Sequence, residues 1–285
     1  MFYYEHPYKP ILFEDTKKII VGTLPPPRFF LKDLKEEDVD FPYGSKDNLL
    51  WRILNKIFLL DLEFKNTKNA IEQRFSFLEK NQIGVCDIVQ SCKKERLDSS
   101  DSSMNDIVLR DILNYLKVYK NINTILFTGK NSKNSPEYFF RQILKKRKID
   151  FTKIEHKSLR IHKFIFENRV IFTISLISPS NAANKSIGAN ILFKNKKIKN
   201  SNFNTFDFRV LEYEKALSFE NLIFNWTKVK GDLSFQNDYC SFCKFIFIRK
   251  IFINLRNILK FYFLSNNTLL KHSISYSSKS SNICS

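Results

Sequence analysis

A short β-branched run that ends in three prolines limits this fold more than any other feature. Lys18-Ile19-Ile20-Val21-Gly22-Thr23 is apolar on consecutive positions and brief, the pattern of a strand buried on both faces. Leu24-Pro25-Pro26-Pro27 follows at once. Proline has no backbone N–H and disfavours helix in the residue before it, so the chain must leave the sheet as a stiff, extended segment. Tyr43-Gly44-Ser45 then turns the chain toward a helix that Ser45 or Asp47 can cap, with Leu50, Leu54, Ile57 and Phe58 recurring on one face. A strand, a loop and a helix start in succession form the unit at which open α/β sheets place their sites.

The same alternation continues. Asn66 to Lys80 reads as an amphipathic helix with Ile71, Phe75 and Leu78 on one side, and Ile83-Gly-Val-Cys-Asp-Ile-Val89 as a second buried strand. Gln90 to Ser102 reads as a polar surface loop. Ser103 with Asp106 suggests a capping start for a helix over 104–119, with Val108, Ile112, Tyr115 and Tyr119 facing the core. Asn123 to Gly129 is a third strand. Ser135-Pro136-Glu137 is an N-cap, an N1 proline and a first-turn acid in sequence, opening a helix to about Lys146. Val170 to Ile177 is a fourth strand, and Phe203 to Phe219 a closing helix. These elements predict a three-layer α/β/α sandwich around a central, mainly parallel four-stranded sheet.

The chain carries 47 Lys and Arg against 29 Asp and Glu, a formal charge of +18, which favours a polyanionic partner. A sequence biased toward Lys, Asn, Ile and Phe would produce the same excess for compositional reasons; 29 Phe beside 6 Gly fit that alternative. Five irregularly spaced cysteines and an N-terminus unlike a secretory or transit signal point to a reducing cytoplasm. No apolar run is long enough to span a bilayer. Residues 1–219 are expected to form the α/β domain and 220–285 a basic Phe/Ile/Lys/Asn-rich extension. Within that extension, 242–264 is either a basic amphipathic helix lying on a surface or poorly selected extension sequence, and the serine-rich 273–285 is expected to be disordered.

Three loops should gather at the carboxyl edge of the sheet. They bring Tyr43, Asp47 and Asn48; Asp87, Arg96 and Asp98; and Ser178, Ser180, Asn181 and Asn184. Gly22-Thr-Leu-Pro-Pro26, then Tyr43-Gly44-Ser-Lys-Asp-Asn48-Leu-Leu-Trp51, then Gly84-Val-Cys-Asp87-Ile-Val-Gln-Ser-Cys92, then Ser178-Pro-Ser-Asn-Ala-Ala-Asn184, taken in that order, resemble the uracil-DNA glycosylase superfamily. The branch that includes the hypoxanthine-DNA glycosylases is the nearest in pattern, and the resemblance covers about residues 10–219.

The resemblance implies an enzyme that flips a deaminated base, uracil or hypoxanthine, out of DNA and hydrolyses its N-glycosidic bond without a cofactor. It implies Asn48 as the residue that places the hydrolytic water, with Asp47 an accessory base. Gly22, Thr23, Leu24, Tyr43, Gly44, Asp87 and Ser178 would surround the base. Pro179, Ser180, Asn181, Ala182, Ala183, Asn184 and Lys185 would meet the DNA, Asn181–Asn184 as the wedge. Two positions depart from the pattern: Ser45-Lys46 stand where histidine-proline often precedes the asparagine, and Ser178 where the uracil enzymes have histidine. The second departure removes the usual electrophile on the leaving base.

The residue types suit that chemistry. Cleavage builds negative charge on the base, which amide and backbone donors can hold while an amide or carboxylate orients water. Cys86, Cys92, Cys240 and Cys243 could ligate an iron–sulfur cluster, but their spacing is wide and irregular, so no cofactor and no metal are expected. Gly129-Lys130 lacks the preceding glycines of a phosphate loop, and the lysine runs 144–148 and 194–199 read as solvated faces whose sign suits a phosphate backbone. The expected partner is DNA with a damaged base, bound by a monomer. The alternative is a non-catalytic nucleic-acid-binding protein on the same fold, and a further one a membrane-surface anchor in the tail.

Overall fold

The computed structural model describes residues 1–219. The chain opens with β1 (Phe2–Glu5), β2 (Lys18–Gly22), the single-turn α1 (Pro27–Phe30), α2 (Leu50–Phe58) and α3 (Lys68–Lys80). Next come β3 (Ile83–Asp87), β4 (Val89–Lys94), β5 (Met104–Leu109), α4 (Ile112–Val118), β6 (Thr124–Phe127) and α5 (Pro136–Lys146). The last elements are β7 (Thr152–Ile154), β8 (Arg160–Phe166), β9 (Arg169–Ser175), α6 (Asn184–Ala189), α7 (Ile191–Lys199) and α8 (Thr205–Leu217).

The main sheet has six strands in the order β3-β2-β6-β9-β8-β7. The four strands read from the sequence are its parallel half, β3, β2, β6 and β9, paired so that Gly22 lies beside Asp87 and Phe127 beside Ser175. Their carboxyl ends therefore share one edge. Strands β8 and β7 add an antiparallel half, so the sheet is mixed and six-stranded, not four-stranded. The turn that joins β8 to β9 carries no glycine, so the sequence does not mark β8 as a strand. Glu167 and Asn168 both take positive φ, 48° and 59°, as a two-residue turn between paired Phe166 and Arg169 demands.

Alternate residues of each strand face opposite layers. Ile19, Val21, Cys86, Ile125, Phe127, Ile171 and Phe164 share a core with Ile112, Leu113 and Leu116 of α4 and Phe139, Phe140 and Leu144 of α5. The intervening Ile20, Val85, Leu126 and Ile174 are buried on the other face. Each such side chain contributes about 1.5–3 kcal/mol when fully buried, so both faces of the strands are committed to packing.

Several local expectations are corrected. A second, antiparallel sheet, β1-β4-β5, occupies the segments read as a surface loop over 90–102 and as the first part of a helix over 104–119. Met104 to Leu109 is extended, Asp106 has φ 46°, Val108 is exposed, and the helix starts only at Ile112, capped by Asp111. Pairing to β4 supplies ladder bonds that outweigh a local capping pattern. In α3 the buried side is Ala70, Arg74, Phe77 and Leu78, while Phe75 is exposed and meets the Phe13 ring edge-on. α5 starts as read, with Ser135 accepting from Tyr138 N and Pro136 in the first turn. α6 and α7 fill the stretch between the Ser-Pro-Ser turn and α8, where the sequence pattern predicts no helix.

Candidate functional site

Loop one, between β2 and α2, is built tightly. Val39 N donates to Gly44 O and Gly44 N to Phe41 O, each at 2.8 Å, and Trp51 Nε1 donates to Pro42 O at 2.9 Å. A Cβ on Gly44 would lie 2.0 Å from Val39 O, so only glycine fits. Tyr43 beside it sits at φ 58°, a conformation that costs a bulky residue about 1–3 kcal/mol and persists only where the surroundings enforce it. Asp38 enforces it. Fully buried, it accepts from Arg28 Nε at 2.6 Å, Lys46 N at 2.8 Å and Lys35 N at 2.9 Å. Burial works to raise its carboxyl, but the Arg28 and backbone bonds outweigh that and hold it below the usual range. Arg28 also donates to Ser45 Oγ and Asp47 Oδ2.

Gly22, Tyr43 and Asp87 meet at the carboxyl edge. Tyr43 is buried and its hydroxyl donates to Cys86 O at 2.9 Å. A Cβ on Gly22 would stand 2.5 Å from Asp87 Oδ1 and 2.7 Å from the Tyr43 hydroxyl, so the missing side chain is what lets the three converge. Burial, then the Asp87 carboxylate, push the Tyr43 phenol well above its ordinary value, so it remains a donor. Asp87 Oδ2 accepts from His6 Nε2 at 2.9 Å, while buried Oδ1 has no hydrogen-bond partner among the described residues. No pattern in the sequence places His6 here. Its other nitrogen lies 2.9 Å from Tyr8 O.

Asn48 and the Ser178-Pro179-Ser180 turn come together directly. Asn48 pairs with Ser180 as an isolated antiparallel bridge, and Leu49 N donates to Pro179 O at 2.8 Å. Strand β6 lies between β2 and β9, so loop one reaches across two strand spacings, about 10 Å, to make this junction. Asn48 Oδ1 accepts from Leu50 N at 2.9 Å. It is this amide, rather than Ser45 or Asp47, that serves the start of α2, where Leu49 is the N-cap residue and makes no side-chain cap. One lone pair of Asn48 Oδ1 and its Nδ2 hydrogens remain. Asp47 is exposed and ion-paired with Arg28 at 3.0 Å.

α8 holds the turn from behind. Arg209, with no exposed surface, donates to Ser178 O at 2.9 Å, Ser180 O at 2.8 Å, Asn184 Oδ1 at 2.9 Å and Thr205 O at 3.2 Å. Glu212 accepts from Ile177 N at 2.7 Å and Tyr213 donates to Ile177 O at 3.0 Å. Burial raises the Glu212 carboxyl. Ser178 Oγ accepts from Ser180 N, and Ser180 Oγ from Ala182 N. Of the expected wedge, Asn181 and Ala182 are exposed, Ala183 packs inward, and Asn184 is tied to Arg209; Lys185 is exposed.

No protein-family model and no curated protein matches this chain. Among solved structures, the solution NMR structure of a protein from Methanosarcina acetivorans, described as a "putative Uracil DNA glycosylase", is similar. It has 22% identity, covering 62% of this chain and 86% of that one, with a TM-score of 0.41.

The remaining expected residues divide. Thr23 accepts from Val89 N through its carbonyl; Leu24 packs on the core. Asp98 is structural: its carboxylate accepts from Ser100 N and Ser103 Oγ, and its carbonyl from the buried Lys94. Arg96 contributes a carbonyl to Tyr4. Asp101 was missed. Burial pushes its carboxyl up to about 6 against a hydrogen bond with Thr23, and Asn134 Nδ2 donates to its carbonyl at 2.8 Å. Cys86 and Cys92 are buried free thiols, Cys86 pushed up to about 12 by burial; Cys240 and Cys243 lie outside the described residues, as does the expected tail helix over 242–264. No described group of three or more His, Cys, Asp and Glu side chains could hold a metal ion, and no described helix is long and apolar enough to cross a membrane.

Proposed function

We propose that residues 1–219 form a monofunctional DNA glycosylase that everts a deaminated base, uracil or hypoxanthine, and hydrolyses its N-glycosidic bond. The observation that carries the reading is the junction of Asn48 with Ser180 and of Leu49 with Pro179. Two segments some 130 residues apart in sequence, each matching a motif of one superfamily, are hydrogen-bonded to each other at the carboxyl edge of the sheet.

In this reading the everted base sits beside the junction of loop one with the Ser-Pro-Ser turn. Eversion costs about a few kcal/mol and least for a mispaired base, which favours deaminated sites. Asn48 positions water through its remaining lone pair and its Nδ2 hydrogens. A neutral amide takes no proton, so Asn48 works by orientation, and the developing oxocarbenium ion activates the water it holds. Asp47, paired with Arg28, supplies negative potential near the sugar in preference to acting as a free base. The protonated Tyr43 phenol and the Gly22 and Thr23 backbone shape the base pocket. Ser178 brings a hydroxyl in place of an imidazole and cannot supply a cation to the leaving base. This arrangement favours bases that leave without one.

Labelled duplexes containing uracil, hypoxanthine or xanthine, incubated with the full chain and cleaved with alkali, test the reading. Strand breaks at one lesion are expected, and their absence for all three with folded protein in excess would refute it. A non-catalytic binder on the same fold is the other reading, which the departures at Ser45-Lys46 and Ser178 favour.

A further inference from the structure

The chain after the Ser-Pro-Ser turn carries a charge pattern that the glycosidic chemistry does not use. From Arg169 through Phe206 there is no Asp or Glu, while Arg169, Lys185, Lys194, Lys196, Lys197 and Lys199 are all cationic. α7 holds four of these lysines. Its Phe193 is buried in a small core with Ile177 and Ile187. Rings of Phe193, Phe203 and Phe208 pack at centroid separations of 5.9, 5.7 and 6.4 Å. Because Ile177 directly precedes Ser178, this core fixes α7 in place relative to the turn.

Two of the four lysines are used internally. Lys197 Nζ donates to Ser201 O and Phe203 O, both at 3.1 Å, and Lys196 lies 5.8 Å over the Phe203 ring. Lys194 and Lys199 are exposed, and their ammonium groups have no partner among the described residues. At helical spacing they flank Ile191, Asn195 and Ile198 on the side opposite Phe193. Ile191 is 66% and Ile198 84% exposed. A helix of this length that leaves two cations free beside an acid-free segment has charge to spare for a polyanion.

We propose that the outer face of α7 is a phosphodiester-binding platform beside the turn. Lys194 and Lys199 would each neutralise a phosphate of the strand, with Ile191 and Ile198 against its sugars. The proposal rests on the nucleic-acid part of the reading above but not on catalysis. A membrane surface fits the same charge less well, since the apolar face amounts to little more than two isoleucines and a lysine stands on each flank.

The test is fluorescence anisotropy of the full chain with an undamaged labelled duplex at several salt concentrations, comparing wild type with K194E/K199E. Each phosphate neutralised contributes about 0.9 to the slope of log affinity against log salt, so the double variant should be shallower by about 1.8. K145E/K148E, the same charge change on exposed lysines of the 144–148 run, should keep the wild-type slope. An unchanged slope in K194E/K199E would overturn the proposal. So would a variant that loses binding to phosphatidylserine vesicles while keeping its affinity for DNA. Lesion cleavage is scored separately: no cleavage with a reduced slope leaves the platform standing, whereas cleavage with an unchanged slope removes the platform alone.

Discussion

Replacing Arg209 with Ala probes how the turn is held. The guanidinium donates to four oxygens: the carbonyls of Ser178, Ser180 and Thr205, and Asn184 Oδ1. It is fully buried and has no carboxylate within bonding distance among the described residues, so burial depresses its own pKa. Truncation strands acceptors that had a charged donor. Each unsatisfied buried group costs about 1–3 kcal/mol, but the turn can relax and water can reach its outer carbonyls, so a total of about 3–5 kcal/mol is expected rather than the full sum. With a urea slope of about 2.5 kcal/mol per molar, the midpoint should fall by about 1.2–2 M in circular-dichroism titrations. Arg209→Lys keeps the charge but cannot span two carbonyls and an amide, and should fall between. A shift under about 0.3 M for the alanine variant would show that the guanidinium does not hold the turn.

Further outcomes follow from the same geometry. Asn48→Ala should lose turnover by a factor of about a hundred or more while keeping salt-dependent DNA affinity, measured by single-turnover cleavage beside anisotropy. Gly44→Ala drives a Cβ into Val39 O and should cost more than about 3 kcal/mol, read as lost expression or a collapsed urea midpoint. Glu137, held at about 2 by Arg160, Ser175 and Arg141 against burial, and His162, pushed down to about 4 by burial and then Arg141, have depressed native pKa values. Their stabilisation is present above the unfolded values and is lost as pH falls, between about 6.5 and 4 for His162 and between about 4.5 and 2 for Glu137. Melting temperatures should drop across that span, and His162→Gln should flatten the upper part. Asp101 is raised, so it stabilises below about 4 and loses that effect as pH rises through 6; Asp101→Asn should steepen the acid drop.

The parallel half of the sheet was legible because the centres of β2, β3, β6 and β9 are buried and show as short runs dominated by apolar residues. The antiparallel strands were not. β8 carries Arg160 and His162 on its inner side, paired with Glu137 and Arg141 of α5, so the polar residues that break its pattern are satisfied by partners distant in sequence. β5 read as helix because a serine and an acid three apart imitate a cap, and only β4 could say otherwise. In the site, the loop motifs located Asn48 and Ser178, while His6, Asp38 and Arg209 were invisible: each is buried, and its role is set by carbonyls and carboxylates that the sequence does not place beside it.

The most direct measurement uses 2-aminopurine placed next to uracil or hypoxanthine in a duplex, its fluorescence followed as full-length protein is added. Wild type and Asn48→Ala should both brighten the probe, since each everts the neighbour and unstacks it, and Arg209→Ala should do so weakly or not at all. A saturated complex that leaves the probe dark with every lesion would mean that no base is everted at the junction of Asn48 with the Ser178–Ser180 turn.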